Sequence, residues 1–346
     1  MKKVMAFFLA VGLLCGAAFL FAPSADAAQV IKIAGMKPEG EPETIGMHKF
    51  GEYLKELSDG KYDVKVYPNS SLGKEDSYID QTRKGIIQMC ATGTQMSKFH
   101  PAMAMFETPM MFDDLEHAHR AMNGETFKLI TDGFDKKSGM RTMNVFPLGF
   151  RHFYTKNPVK SIEDMKGLKM RVPNIPLYTN FAKEAGIAGQ PMPFAEVMTA
   201  IESGAIDGGD SPMTDIAATS VYEYAPEITK TGHILVLHSL FINDKFYNSL
   251  PEQDREWFDK AAQMAAEDVW KLMAEADAAA EKTITTPKEN GKKATISEPT
   301  PELKQYMKEA GERSWTLFTD PNSKQYVPNA KEILDSAAKY RQASAQ

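Results

Sequence analysis

From Pro251 to about Lys282 the sequence runs as one uninterrupted helical pattern rich in alanine. At about 1.5 Å per residue such a helix is roughly 50 Å long. That exceeds what one compact lobe needs, so the helix is expected to brace two lobes at once. A chain of 346 residues is also more than a single hydrophobic core usually fills. The sequence before it alternates strand and helix. "QVIKIAGM" alternates as a strand, residues 37–42 form a polar Pro/Gly loop, and "GMHKFGEYLKELSDG" sets Phe50, Tyr53, Leu54 and Leu57 at helical spacing before Gly60. "KYDVKVYPN" alternates again and stops at Pro68. A helix near 75–85, a strand at 86–91 and a helix at 116–139 continue the style. The second lobe is expected near Arg151, after the strand "RTMNVFPLG". It holds a helix from Pro176 to Gly186, another near "FAEVMTAIESG", and strand-like "AIDGGDSP". "HILVLHSLFIN" is long enough to run from one lobe into the other. This order argues for α/β lobes rather than a sandwich or a bundle. The expected division is 28–148 plus about 237–280 for the first lobe, and 149–236 plus about 281–346 for the second.

The N-terminus differs in character. Lys2 and Lys3 precede an uncharged stretch from Val4 to Pro23 and then "SADAA". Ala25 and Ala27 fit a signal-peptidase site, so residues 1–27 are expected to be a signal peptide cleaved after Ala27, placing the protein in the periplasm. The apolar run is long enough to span a bilayer, which makes an uncleaved anchor the competing reading. Cys15 would suit a lipoprotein only if a small residue stood where Leu14 stands. Without the leader, Cys90 is the one cysteine left, so no internal disulfide forms and the exported chain relies on its core. The net charge of −6 is spread along the chain without a basic stripe, which argues against a nucleic-acid partner.

Catalytic signatures are missing from the sequence: there is no G-x-S-x-G, Walker loop, G-x-G-x-x-G or HExxH. His117 and His119 stand two apart on a helix, so they face different ways and read as solvated histidines, not metal ligands. Cys90 in "IIQMCATG" reads as a buried inert thiol, and the methionines of "MAMFETPMM" as core filling. No cofactor, metal or catalytic residue is therefore expected. Two arginines beside turns remain: Arg151 in "PLGFRHFYT" and Arg171 in "KMRVPN". Arginine cannot shed its proton to escape burial, so each needs an anionic partner. Spacing alone leaves open whether that partner is an internal carboxylate or something from solution.

Several stretches together resemble the solute-binding proteins of TRAP (tripartite ATP-independent periplasmic) transporters, the DctP family. They are "YPNSSLGKE", "GFRHFYTKNPVKSIEDMKGLKMRVPN", "PMPFAEVMTAIESGAIDGGDSP", "GHI" and "LPEQDREWF", in order over essentially the whole chain after the leader. The resemblance implies a type II-like periplasmic binding fold, two α/β lobes joined by crossing strands and a long bracing helix. The lobes close over a small organic anion, which is handed to small and large integral-membrane permease subunits. It implies a monomeric binding protein and no enzyme. In that family the Arg of R-V-P pairs bidentately with the ligand carboxylate, a role that falls to Arg171; planar fork-to-fork pairing suits a carboxylate, and Lys would not match it. Arg151 becomes the second anion contact, and Phe194 a pocket wall.

Two departures from the family pattern matter. Where many relatives carry an Asn, this chain has Ser211, after Asp207, Gly208, Gly209 and Asp210. The shorter hydroxyl implies a bridging water or a different ligand, and Asp210 is tolerable beside an anion if it orients an arginine or accepts a ligand hydroxyl. A Gln of the family's P-S-Q-L-G is also missing from "PNSSLG". On the first-lobe side, Thr92, Thr94, Lys37, Glu39 and His238 are the candidate contacts, each also readable as ordinary loop or strand polarity. Competing readings are a short sulfonate such as isethionate as ligand, the binding subunit of an ABC importer or of a sensor, and an exported enzyme acting on small acids.

Overall fold

The computed structural model of the chain describes residues 28–193 and 196–341; the expected leader and Phe194 lie outside the described residues. The strands are β1 (Gln29–Ala34), β2 (Tyr62–Tyr67), β3 (Met89–Thr92), β4 (Met140–Thr142), β5 (Phe146–Thr155), β6 (Lys169–Val172), β7 (Ala188–Pro191), β8 (Gly208–Pro212), β9 (Glu227–Thr229), β10 (Leu235–Asn243) and β11 (Thr295–Ser297). Their order is β2-β1-β3-β10-β5-β8-β6-β7, with β4 on β10, and β9 on β5 followed by β11. β5 and β10 are the crossing strands. From Phe146 to Phe150, β5 pairs with β10; from Arg151 onward it pairs with β8 and β9 of the second lobe. β10 likewise leaves β5 after His238 and pairs with β3 and β4 of the first lobe. Every residue of β10 is buried, as expected of a strand covered on both faces.

The long helix spans Glu252–Thr285. It packs along the first helix, Pro42–Leu57, in one lobe and against the helix Met213–Thr219 in the other, so it braces both as its length required. Its alanines face the core: Ala261, Ala262 and Ala265 are fully buried. Opposite them Gly46 allows the close approach, since a Cβ there would lie 3.1 Å from Val269. Phe258 anchors the seam, edge-on to Phe50 and Tyr62 at ring distances of 5.9 and 5.1 Å. Burying such a ring stabilises by roughly 2–3 kcal/mol. Among the described residues no helix is long and apolar enough to cross a membrane.

Four local expectations are corrected. The helix expected at 116–139 is three short ones, Leu115–Met122, Glu125–Thr131 and Phe134–Ser138. Gly124 breaks the first join because Tyr340 lies where its side chain would be, and Gly133 breaks the second with φ +70°. "RTMNVFPLG" is two strands, and β5 runs on to Thr155, so Arg151 sits inside a strand and not past its end. The chain also returns. The helix Pro301–Ser314 packs on the second lobe, but the last helix, Ala330–Lys339, packs on the short helices of the first lobe and not with the second. His117, read as solvated, is buried in that contact and donates from Nε2 to the carbonyl of Ala337 at 2.8 Å. His119 turns instead to Glu267 at 3.0 Å. Cys90 is buried as expected, and burial pushes its thiol up to about 12.

At the crossing, Gly149 has φ +108°, and a Cβ there would lie 3.1 Å from Asp277 Oδ1 on the long helix. That oxygen is buried without a hydrogen-bond partner among the described residues. Burial, then the nearby Glu281, raises the carboxyl to about 7. A carboxyl raised above its unfolded value contributes stability at low pH that is lost as pH rises through about 7. Asp277→Asn is therefore expected to match wild type near pH 4 and exceed it by about 1–3 kcal/mol at pH 8, after discounting for partial exposure. Thermal melts across that range read this directly, and a gain independent of pH would count against it.

Candidate functional site

The second-lobe face is built on the ends of β5, β6 and β8. Arg151 in β5 is buried and spends its guanidinium on Asp210 in β8: Nε donates to Oδ2 at 2.6 Å and Nη2 to the Asp210 carbonyl oxygen. Its cation lies 5.0 Å above the Tyr178 ring. His233, just before β10, donates from Nε2 to the same Oδ2 at 3.0 Å and accepts at Nδ1 from Thr231. Burial keeps this imidazole neutral, with a pKa below the usual histidine value. Burial alone would raise Asp210, but Arg151 and the His233 hydrogen bond hold its carboxyl far below the carboxylate range. Asp210 thus orients an arginine, as one of its two expected roles required. Its other oxygen, Oδ1, is buried without a partner among the described residues, and the residue borders a small cavity with Phe153, Phe181 and His233.

Arg171 lies within β6, 7% exposed, with Nε donating to the Met192 carbonyl at 3.1 Å. Burial, then the charge of Arg151, works against its cation and lowers its pKa. The two guanidinium groups lie in each other's field, Arg151 on the Asp210 face of the sheet and Arg171 on the opposite one. Ser211, 2% exposed, stands two residues beyond Gly209, the register partner of Arg171, so it shares Arg171's sheet face, while Asp210 takes the other.

The first-lobe face gathers charges distant in sequence. Lys37, in the loop after β1, reaches across to Asp215 in the helix Met213–Thr219 of the second lobe. Burial opposes the ammonium, but Asp215 outweighs it and raises the Lys37 pKa. Glu43, fully buried in the first turn of the first helix, accepts the backbone N–H groups of Met36 and Lys37 at 3.0 and 3.1 Å and pairs through Oε2 with His238 Nδ1. Burial works against a charged His238 ring, yet the Glu43 hydrogen bond and charge win and raise its pKa. Glu107 ties the lobes a second time, accepting from the Tyr178 hydroxyl. Gly93 admits this pair: a Cβ there would lie 2.6 Å from His238 Cδ2 and 3.0 Å from Glu107 Oε1. Thr92 donates to Glu75 at 2.6 Å, and Thr94 is buried beside it.

Of the expected residues, the structure thus places Arg151, Arg171, Asp210 and Ser211 on one lobe, and Lys37, His238, Thr92 and Thr94 on the other. Glu39 is the exception. It points to solvent and meets His48 at 3.1 Å, because the inward positions of that loop are taken by Lys37 and Glu43, and an unpartnered carboxylate stays hydrated. Glu43, Glu107, Tyr178, Asp215 and His233 were not anticipated; His233 lay in the quoted "GHI" and Glu107 in "MAMFETPMM", where only the methionines drew notice.

The model of the bacterial extracellular solute-binding proteins of family 7 (DctP) matches residues 33–320. A TRAP periplasmic solute-binding protein from Desulfovibrio desulfuricans, solved with bound sn-glycerol-3-phosphate, is 63% identical; the match covers 92% of this chain and 99% of that one, with a TM-score of 0.87. A second, from Haemophilus influenzae RdAW with bound L-gulonate, is 26% identical over 90% of this chain and 100% of the other, with a TM-score of 0.81. A solute-binding protein of Roseobacter denitrificans is 31% identical over 253 residues, 73% of this chain and 78% of that protein.

Proposed function

The chain belongs to the bacterial extracellular solute-binding proteins of family 7, the DctP family, and from that premise we propose that it captures a small organic acid anion between its lobes and delivers it to a TRAP-type transporter. Arg171 is the principal anion contact, with Arg151, held in place by Asp210, supplying the field beside it. What carries this reading is the burial of Arg171 next to a second buried guanidinium. The two lobes swing about the crossing of β5 and β10, and closure brings together the pairs Lys37–Asp215 and Tyr178–Glu107. Excluding water lowers the local dielectric and strengthens every charge-assisted bond to the ligand. Only contacts made in the closed state bias that equilibrium.

Family members are periplasmic binding proteins. For this chain the reading adds a leader cleaved after Ala27, a monomer, and small and large membrane subunits that receive the ligand chemically unchanged. The relative at 63% identity makes sn-glycerol 3-phosphate the first candidate ligand, with sugar acids such as L-gulonate next. The test is a thermal-shift screen of residues 28–346 against such anions. Ligand at about a thousand times its dissociation constant adds ~4 kcal/mol, several degrees for a chain this long. Silence across carboxylates, sulfonates and phosphate esters, repeated after unfolding and refolding to strip any co-purified ligand, would sink the reading.

A further inference from the structure

Tyr154 stands in β5, in register with Gly209 of β8, and Gly209 stands in register with Arg171 of β6. Residues paired directly across neighbouring strands point to the same sheet face, so Tyr154 and Arg171 flank Gly209 on one side of the sheet. Gly209 is what lets them meet. A Cβ at that position would lie 2.3 Å from the Tyr154 hydroxyl oxygen and 2.6 Å from Cζ, so the phenol lies across the glycine, towards Arg171. The ring is wholly buried among Val197, Ile201, Ile206 and Met213, a lining that a phenylalanine would fill equally well. The hydroxyl is the polar exception: it is buried and has no hydrogen-bond partner among the described residues. After burial itself, the strongest electrostatic influence on it is Arg171. Burial raises its pKa, which keeps it a neutral donor. Buried hydroxyls in native proteins are nearly always hydrogen-bonded, and one that is not calls for a role.

We propose that Tyr154 is a ligand-binding residue whose hydroxyl donates to the anionic head that Arg171 holds, and that this extra donor fits the site to a tetrahedral phosphate monoester over a planar carboxylate. The inference rests on the anion-capture reading above. A guanidinium fork engages two oxygens in one plane. A carboxylate has no more to offer, whereas a phosphate monoester presents a third oxygen out of that plane and carries about −1.5 to −2 charge at neutral pH. Tyr154 supplies a donor beside the fork. Ser211, on the same face two residues beyond Gly209, adds a short hydroxyl there.

The test is isothermal titration of wild type and Tyr154→Phe with sn-glycerol 3-phosphate and with D-glycerate, a hydroxylated carboxylate on the same three-carbon skeleton. Wild type prefers the phosphate. Tyr154→Phe loses about tenfold or more in affinity for the phosphate, the effect of one hydrogen bond to a charged group, and less than about threefold for glycerate. The ligand-free melting temperature of the variant is unchanged or higher, because no structural hydrogen bond is removed. The proposal is overturned if Tyr154→Phe binds the phosphate within about twofold of wild type, or if its ligand-free melting temperature falls by more than about 5 °C, which would reveal a structural partner. Wild type binding glycerate as tightly as the phosphate, or no phosphate at all, overturns the tetrahedral preference. Arg171→Ala retaining the phosphate while Tyr154→Phe loses it would instead remove Arg171 from the site, and silence of the wild type toward every anion would sink the anion-capture reading, so the failures are distinguishable.

Discussion

Arg171→Ala is expected to weaken binding of the organic anion by two orders of magnitude or more while the ligand-free fold keeps its melting temperature within a few degrees. Truncating one partner of a buried, hydrogen-bonded charge pair costs about 2–5 kcal/mol, or roughly 30- to 5,000-fold. Ligand-free stability responds differently. There burial and Arg151 oppose the cation, so its removal is expected to cost the ligand-free fold little. Arg171→Lys keeps the charge but loses the planar fork and falls between the two. Titration calorimetry with the ligand found by thermal shift reads the first effect, and a melt without ligand the second. Affinity held within about threefold of wild type, a change too small for a lost charge-assisted bond, would remove Arg171 from the site.

Asp210→Ala has the opposite profile, a large loss of stability before any question of ligand. The substitution leaves Arg151 buried without its carboxylate and His233 without its acceptor. Breaking a buried ion pair from one side costs about 3–5 kcal/mol, on the order of 5–15 °C for a chain of this size. The pH dependence follows from the depressed pKa of Asp210. A carboxylate lowered below its unfolded value contributes stability that is fully present above that value and is lost as pH falls through the folded one. The gap between wild type and Asp210→Ala therefore narrows in acid, as pH falls below the ordinary aspartate value of 3.8. Melts at neutral and acidic pH test both statements, and a drop under about 2 °C at neutral pH would show that Arg151 finds another partner.

The elements that carry their own periodicity were legible in the sequence. The alanine-rich stretch after Pro251 is the bracing helix, and the apolar run ending at Asn243 is the crossing strand. Arg171 was marked by an obligate charge set in an apolar strand, and the role proposed for it came from family likeness. The first-lobe face was much less legible. Lys37, Glu39 and Glu43 look alike in the sequence, three of the four charges around one loop at a helix start. The fold alone turns Lys37 towards Asp215, Glu43 towards His238, and Glu39 outward to His48. Those partners lie up to 195 residues apart, and no local pattern encodes such a meeting. The helix at 116–139 failed for a related reason: Gly124 is needed because Tyr340 arrives from the other end of the chain. Tyr154 read as one more core aromatic, and only its register with Gly209 sets its hydroxyl beside Arg171.

The return of the chain to the first lobe has a practical consequence. β1 opens in that lobe, and Tyr340 closes there, its hydroxyl accepting the N–H of Glu125 at 3.0 Å and its carbonyl accepting from Arg120 at 3.1 Å. The second lobe is therefore an excursion from a body that keeps hold of both ends. Fluorescent labels near Gln29 and Tyr340 would ride on one rigid part and stay dark to opening and closing. A reporter of ligand capture needs one dye on the first lobe, at exposed Lys128, and its mate inside the excursion, at exposed Lys183.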